Sequence, residues 1–242
     1  MDHPRNWLDP GRRRDDTALV VKGLLLDFYG TVVEEDDDVV AAICARAAAT
    51  APAVVTAERI AGAWWRAFRT AMAASPFRSQ REIAVESLAA ALTANACVAD
   101  AAALCDEQVR YWRTAPLRPG TRAFLAGAGL PICIVSNIDR ADLDAALDHH
   151  GLSFAAVVTS EDVGAYKPAP QMFRCALDML GLRAGEVLHV GDSLSADVAG
   201  ARGAGIRPIW VNRRGRVVPD GMDAGDVVGG LAELAVRLRG SR

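Results

Sequence analysis

Four short polar clusters in this 242-residue chain hold the side chains best suited to chemistry. The stretch LLLDFYGTV runs Leu24, Leu25 and Leu26 into Asp27, then turns through Gly30 and Thr31. Further on, ICIVSN ends in Ser136 and Asn137, GAYKPAP carries Lys167, and HVGDSLSAD carries Asp192 and Asp197. Carboxylates attack electrophiles and ligate hard cations, a hydroxyl holds anionic oxygens, and an amine supplies compact positive charge. A carboxylate closing a buried strand is costly unless something pairs with it. Two buried carboxylates repel, and one protonates unless a cation lies between them. Each cluster alone has an ordinary reading: Asp27 or Asp197 capping a helix, Ser136 and Asn137 closing a turn, Lys167 in solvent. Their succession, an acid, a hydroxyl, a lysine and an acid pair, points to one shared site.

Convergence needs a scaffold that brings strand ends together, and in open α/β sheets ligands bind outside the carboxyl ends of the strands. LVVKGLLLDF is a nearly continuous apolar run, the pattern of a parallel strand covered on both faces. After LRPG, helical and strand patterns alternate. A helix near 120–128 precedes PICIVS, and one near 140–150 precedes AAVVTS. PQMFRCALDML precedes EVLHV, and SADVAGARGAG precedes IRPIWV. Such alternation predicts a parallel sheet. Between the first strand and this region, from about residue 36 to 115, the chain is alanine-rich and helical throughout. Asp36 to Asp38 open a first helix, Thr56 caps a second through WWRAFRT, Ser79 and Glu82 form a capping box for a third, and a fourth spans about 98–112. The fold class is therefore α/β. A Rossmann-like parallel core takes in 18–35 and 116–242, an all-helical cap is inserted over 36–115, and residues 1–17 form a polar tail. Trp65, Phe68 and Met72, spaced i, i+3, i+7, read as the cap's apolar face. RRGRVVPDGMDAGD reads as a polar loop before a final helix. His149 and His150 sit near a helix end, and His189 is packed in a strand.

At 51% hydrophobic, the composition supports a sizeable core, and a net charge of −3 gives no basic field for nucleic acid. Cys44, Cys97, Cys105, Cys133 and Cys175 are odd in number, scattered and without zinc-ligand spacing, as expected of reduced cytosolic thiols. The charged amino terminus has no apolar signal segment, and no run approaches the ~20 apolar residues of a membrane helix. These features predict a soluble cytoplasmic protein, a monomer or a homodimer, acting on a small molecule with neither nucleic acid nor membrane as partner.

Taken in order, the four motifs resemble those of the haloacid dehalogenase superfamily of hydrolases, subfamily I, with a helical cap after the first motif. The resemblance runs over roughly residues 20–212. It implies that Asp27 is the nucleophile, that Lys167 supports it, and that Ser136 and Asn137 bind the transferring group. It implies Mg²⁺ held by Asp27, Asp192 and the main-chain oxygen of Tyr29, with Thr31 and Asp197 behind these ligands. Dehalogenases of the superfamily place a cap arginine on the halide, which makes Arg66 and Arg69 candidates to face substrate. Phosphatases of the superfamily usually carry an aspartate two residues after the nucleophile as general acid and base. This chain has Tyr29 there, a candidate proton donor in its own right.

DFYGT is closer to the L-2-haloacid dehalogenases, which need no acid for a departing halide. Those enzymes lack magnesium, however, and usually lose the Gly-Asp that this chain keeps in GDSLSAD. The two ends of the site thus point to different reactions. One is a magnesium-dependent phosphatase of a small phosphorylated metabolite working through an aspartyl-phosphate at Asp27. The other is a 2-haloacid dehalogenase forming an ester at Asp27. A binding or regulatory protein that keeps the pocket without efficient turnover is a third reading. The acid pair favours the phosphatase, because Asp192 beside Asp27 calls for a cation. General acid catalysis is worth ~10²–10⁴-fold, so its loss slows hydrolysis without abolishing it.

Overall fold

Residues 20–239 are described by a computed structural model; the tail expected over 1–17 lies outside them. Six strands form one parallel sheet: β1 (Gly23–Leu26), β2 (Ile132–Ser136), β3 (Ala156–Thr159), β4 (Val187–Gly191), β5 (Arg207–Val211) and β6 (Asp226–Val228). Their order is β3-β2-β1-β4-β5-β6. The order reverses between β1 and β4, the switch point where α/β sheets open a crevice for ligands. Leu26 pairs with Ile134 of β2 on one side and Val190 of β4 on the other. Asp27 and Asp192 are therefore carried past the ends of adjacent strands at that crevice.

Alternation along the strands divides the core into two layers. Leu24, Leu26, Ile132, Ile134, Leu188 and Val190 face helices α5 (Thr121–Gly127), α6 (Arg140–His150) and α10 (Leu231–Arg239), through Phe124, Leu143, Leu231 and Leu234. Leu25, Cys133, Val135, Val158 and Val187 face α8 (Pro170–Leu180) and α9 (Ala199–Gly203), through Met172, Phe173, Ala176 and Ala201. Both faces are covered, which accounts for the unbroken apolar runs. β1 is shorter than LVVKGLLLDF because its neighbours begin at Ile132 and Val187; beyond them Val20 is exposed. Two elements escaped the sequence reading. The polar loop ends at Asp226, the first residue of β6, which pairs three residues to the open edge of β5, with Arg207 Nε donating to Asp226 Oδ2 at 2.9 Å. After β3 comes a single helical turn, α7 (Ser160–Val163), closed by a Thr159–Asp162 capping box. Neither is long enough to show a periodicity.

Between β1 and α5 lie four helices: α1 (Asp37–Ala48), α2 (Ala57–Met72), α3 (Gln80–Ala94) and α4 (Ala101–Trp112). Thr56 Oγ1 accepts the Arg59 N–H, and Ser79 and Glu82 form the reciprocal capping box, both as the local sequence requires. Asp36 precedes α1 without capping it. Its carboxylate instead accepts Gln108 Nε2 and Trp112 Nε1 of α4, each at 2.7 Å. The helices enclose their own apolar cluster of Ile43, Cys44, Ile60, Trp64, Leu88 and Leu92. Of the expected stripe of Trp65, Phe68 and Met72, Phe68 packs against this cluster, while Trp64 is buried in place of Trp65. Ile60, Trp64 and Phe68, four residues apart, pack into the cluster, and the Trp64 indole donates to Ala84 O and Ser87 Oγ of α3. Trp65 is 59% exposed and stacks on Phe68.

The helical segment is fastened to the sheet domain beside the crevice. Asp139 occupies the N-cap position of α6, yet its carboxylate accepts the Gln80 and Arg81 N–H groups of α3, at 2.7 and 3.0 Å. The Arg140 N–H of α6 turns to Glu161 instead. Buried Asp142 accepts two bonds from Arg81 and one from Arg113, all within 3.0 Å. The Tyr166 hydroxyl donates to Arg78 O at 2.9 Å. One stretch of the helical segment, Arg78 to Arg81, thus grips the chain two residues after Asn137 and immediately before Lys167. Among the described residues no helix is long and apolar enough to cross a membrane.

Candidate active site

The site is built on the turn that follows β1. The amides of Thr31, Val32 and Val33 all donate to Phe28 O, and the Asp27 N–H donates to Val190 O at 2.9 Å. Gly30 adopts φ +88°, and a Cβ there would lie 2.8 Å from Asp192 Cγ. Glycine is thus required both by conformation and by the approach of the second carboxylate. Asp27 Oδ1 receives Lys167 Nζ at 2.7 Å and Oδ2 receives Thr31 Oγ1 at 3.2 Å.

Lys167 is buried and bridges two carboxylates, reaching Asp197 Oδ1 at 2.6 Å. Asn137 holds the lysine main chain at both ends of its amide: the Lys167 N–H donates to Oδ1 at 2.7 Å, and Nδ2 donates to Lys167 O at 3.2 Å. The Asn137 side chain is therefore a clasp for Lys167 rather than a group turned to substrate. Ser136 ends β2, buried, on the strand next to β1.

Asp197 lies in a wide π-helical turn, Leu194–Val198, a form of helix often found at functional sites. The turn folds the carboxylate back over Gly191, where a Cβ would meet Asp197 Cγ at 2.2 Å. Both oxygens are engaged: Oδ1 by Lys167 and by His189 Nε2 at 3.0 Å, and Oδ2 by the Ser193 N–H at 3.0 Å. Asp192 is set by its main chain, whose carbonyl accepts Trp210 Nε1 at 2.8 Å and Arg216 Nη2 at 2.6 Å. The same guanidinium lies 3.3 Å from Asp192 Oδ2 and packs over the Trp210 ring.

The electrostatics follow. Burial pushes Asp27 up to about 6 even though Lys167 pulls the other way. Burial pushes Asp192 up to about 8, with the charges of Asp27 and Asp197 adding to it. For Asp197 burial is outweighed by Lys167 and His189, which hold it well below the usual carboxylate range. Burial opposes the charge on Lys167, but Asp197 and Asp27 outweigh it and keep the ammonium protonated far beyond neutral pH.

Oxygens of Asp27, Asp192 and Asp197 lie within 4.8 Å of one another. One buried lysine does not balance three carboxylates, and burial, with the neighbouring carboxylates adding to it, holds Asp27 and Asp192 above their ordinary range. A hard divalent cation fits this all-oxygen donor set. Asp197 accepts three hydrogen bonds from its own partners against two on Asp27, so Asp27 and Asp192 are the side chains freer to hold it.

The remaining sequence candidates fall elsewhere. The Tyr29 hydroxyl donates to Trp112 O at the end of α4, at 3.0 Å, and its ring packs edge-on to Phe28. Burial, with Asp142, Asp36 and Asp27, keeps the phenol neutral far above its ordinary range. Arg66 and Arg69 are exposed on α2, and among the described residues neither is hydrogen-bonded or ion-paired to the carboxylate cluster. Arg216 and the His189 contact were not anticipated. Arg216 lies in the loop read only as polar, and His189 was read only as packed; no local pattern marks either.

A family profile of haloacid dehalogenase-like hydrolases matches residues 21–205. The chain belongs to that family. Among its relatives, a phosphoserine phosphatase from Thermus thermophilus is 41% identical over 118 residues, 46% of each chain. An (S)-2-haloacid dehalogenase from Pseudomonas sp. strain YL is 34% identical over 118 residues, 47% of this chain and 49% of that one. The chain thus spans about half the length of the curated relatives it matches. The L-2-haloacid dehalogenase structure from Xanthobacter autotrophicus superposes with a TM-score of 0.71 at 23% identity, covering 91% of this chain and 99% of that one. That likeness establishes a shared fold.

The charge imbalance makes a pH-dependent prediction for the metal-free protein. Asp192 at about 8 and Asp27 at about 6 both stand above their ordinary 3.8. Groups raised on folding favour the fold while protonated, so this stability is complete below about pH 4 and is lost as pH climbs through 6 and 8. In chelator, the melting temperature should fall from pH 5 to pH 8.5. Asp192→Asn should flatten the upper part of that fall, and magnesium should restore the wild type. A melting temperature in chelator that rises over this range would contradict the arrangement.

Proposed function

We propose that this hydrolase is a magnesium-dependent phosphatase of a small phosphorylated metabolite, working through an aspartyl-phosphate on Asp27. The observation that carries this reading is Asp192 set beside Asp27 with more carboxylate charge than Lys167 neutralises. An Asp27 oxygen attacks phosphorus, the new O–P bond forms as the bond to the leaving oxygen breaks, and water then cleaves the acyl phosphate. Lys167 orients Asp27 and screens its charge against the incoming phosphoryl anion, and the Ser136 hydroxyl holds phosphoryl oxygens. Magnesium, when bound by Asp27, Asp192 and the Tyr29 carbonyl, would neutralise charge on the transferring group. The helices over the crevice exclude bulk water, and the grip of Asp139, Asp142 and Tyr166 on Arg78 to Arg81 sets their position.

With its hydroxyl donated to Trp112 O, Tyr29 serves as a tether between the nucleophile turn and α4. The leaving oxygen then draws its proton from water or substrate, which favours leaving groups of low basicity. Tyr29→Phe should lower stability by about 1 kcal/mol, the net value of one hydrogen bond. The ratio of alkyl to aryl phosphate turnover should not change. A selective loss of alkyl phosphate turnover would restore Tyr29 as the acid.

One observation favours dehalogenation: the residue two places after Asp27 is Tyr29, and a departing halide needs no acid. A single experiment separates the readings. p-Nitrophenyl phosphate and a panel of phosphometabolites are assayed with magnesium and with chelator, beside halide release from 2-chloropropionate. Magnesium-dependent phosphate release is expected. Chelator-resistant halide release without phosphate release would establish the rival.

A further inference from the structure

The wild-type site contains one histidine to which the mechanism above gives no task. On β4, Val187, His189 and Gly191 point to the same face as Leu25, so His189 lies one layer beneath the charged residues. Its ring is fully buried and stands edge-to-face against Phe173 of α8, centroids 5.0 Å apart at 85°. Gly191, two residues on, has no side chain, and Asp197 occupies that space and reaches down to His189 Nε2 at 3.0 Å. From there the contacts form a chain: His189 to Asp197 Oδ1, Asp197 Oδ1 to Lys167 Nζ, and Lys167 Nζ to Asp27 Oδ1.

Among the described residues the other ring nitrogen, Nδ1, has no hydrogen-bond partner. This selects the tautomer. With the proton on Nδ1, a donor would be buried without an acceptor and the bare Nε2 lone pair would face a carboxylate. With it on Nε2, the N–H donates to Asp197 and only a lone pair is left in apolar surroundings, the lesser cost. Burial also disfavours the doubly protonated ring.

We infer that His189 is a positioning residue, whose Nε2–H fixes the Asp197 carboxylate so that Lys167 is shared between Asp197 and Asp27 in the geometry the nucleophile needs. Without that donor, Asp197 Oδ1 has Lys167 as its one remaining partner. It turns toward the ammonium and draws it away from Asp27. The effect is on the chemical step, since His189 touches neither substrate nor cation. The consequence for turnover rests on the phosphatase reading; the tautomer does not.

Two measurements test this. In the metal-free full chain, long-range ¹H–¹⁵N spectra of the four histidines, assigned with His189→Gln, should show His189 as the neutral Nε2–H form from pH 6 to 8. Its Nε2 signal should shift in Asp197→Asn. A ring protonated on Nδ1, or an Nε2 signal indifferent to Asp197→Asn, overturns the inference. The second arm compares turnover of p-nitrophenyl phosphate. His189→Gln offers an N–H at the same reach and should stay within about threefold of wild type. His189→Leu keeps the apolar packing but offers no donor. It should lose roughly ten- to hundredfold in kcat at unchanged KM, the range for partners that orient a site group. Leu removes the unpartnered Nδ1 along with the donor, so its melting temperature should stay within a few degrees of wild type. Equal kcat in the Gln and Leu variants overturns the inference. A wild type that turns over no phosphomonoester refutes the phosphatase reading instead, and the tautomer then decides alone.

Discussion

Asp27→Asn is expected to remove turnover by about 10⁵-fold or more, the order seen when a covalent nucleophile is lost, and to raise the stability of the metal-free protein. Both effects come from one replacement of charge by an amide of the same shape. The amide is a poor nucleophile, so no acyl phosphate forms, and under the dehalogenase reading no ester forms either. The amide oxygen still accepts from Lys167 Nζ, and Asp197 still neutralises the ammonium. Asp192 loses the strongest of the charges that, together with burial, push it up to about 8. The apo fold should therefore melt higher than wild type at pH 8 in chelator, and the two should approach each other toward pH 4, where Asp27 and Asp192 of the wild type are protonated as well. Steady-state assay together with thermal melts in chelator checks both halves. Activity above about one-hundredth of wild type would remove Asp27 from the chemistry. A lower melting temperature at pH 8 would contradict the charge imbalance on which the cation site rests.

Lys167→Met should be the most damaging change to the fold itself. The lysine is buried between Asp27 and Asp197, at 2.7 and 2.6 Å. Removing one partner of a buried ion pair costs about 3–5 kcal/mol, because the other charge is left without compensation. Total stabilities run about 5–15 kcal/mol, so this is a large fraction of what holds the protein folded. The loss should be smaller at low pH. Without the ammonium, Asp27 rises further and Asp197 loses the main charge that holds it down, so the fold recovers stability as pH falls and they protonate. Adding Asp197→Leu should recover part of the loss at pH 7.5, since the uncompensated charge goes with it, and the double variant should fall short of additivity. Urea unfolding at pH 7.5 and pH 5.5 measures these differences. A loss under about 1 kcal/mol at pH 7.5 would mean that the bridge is exchanged for water and is not a buried triad. Turnover should be lost in the single and the double variant alike, because neither offers a cation to orient Asp27.

The two variants act through the same economy of charge. Three carboxylates converge on a switch point with one buried ammonium among them. The metal-free protein therefore carries an electrostatic load that a divalent cation would relieve. On this view metal binding is coupled to stability, and calorimetric affinity and melting temperature should move together across the Asp192 and Asp27 variants.

The amino-acid sequence alone determined the α/β class, the order of the core elements and the identity of the polar strand ends. A strand buried on both faces must be apolar along its whole length, and it becomes polar where it leaves the sheet. Leu24–Leu26 before Asp27, and Val187–Val190 before Asp192, are direct records of that transition. The caps at Thr56 and at Ser79 with Glu82 were legible for a similar reason, since a cap is made within four residues of the group it satisfies. The direction taken by a side chain at a strand end or turn was decided only by tertiary structure. Tyr29 was a possible acid until Trp112 O, 83 residues away, took its hydroxyl. Asn137 was a possible substrate ligand until it closed on the main chain of Lys167, and Asp139 capped a helix 59 residues distant in place of its own. His189 looked like a packed ring because its acceptor reaches it only through the space left by Gly191 and the wide turn at Leu194–Val198. Each of these groups had more than one way to satisfy its hydrogen bonds, and the choice fell to whichever distant segment the fold brought within 3 Å.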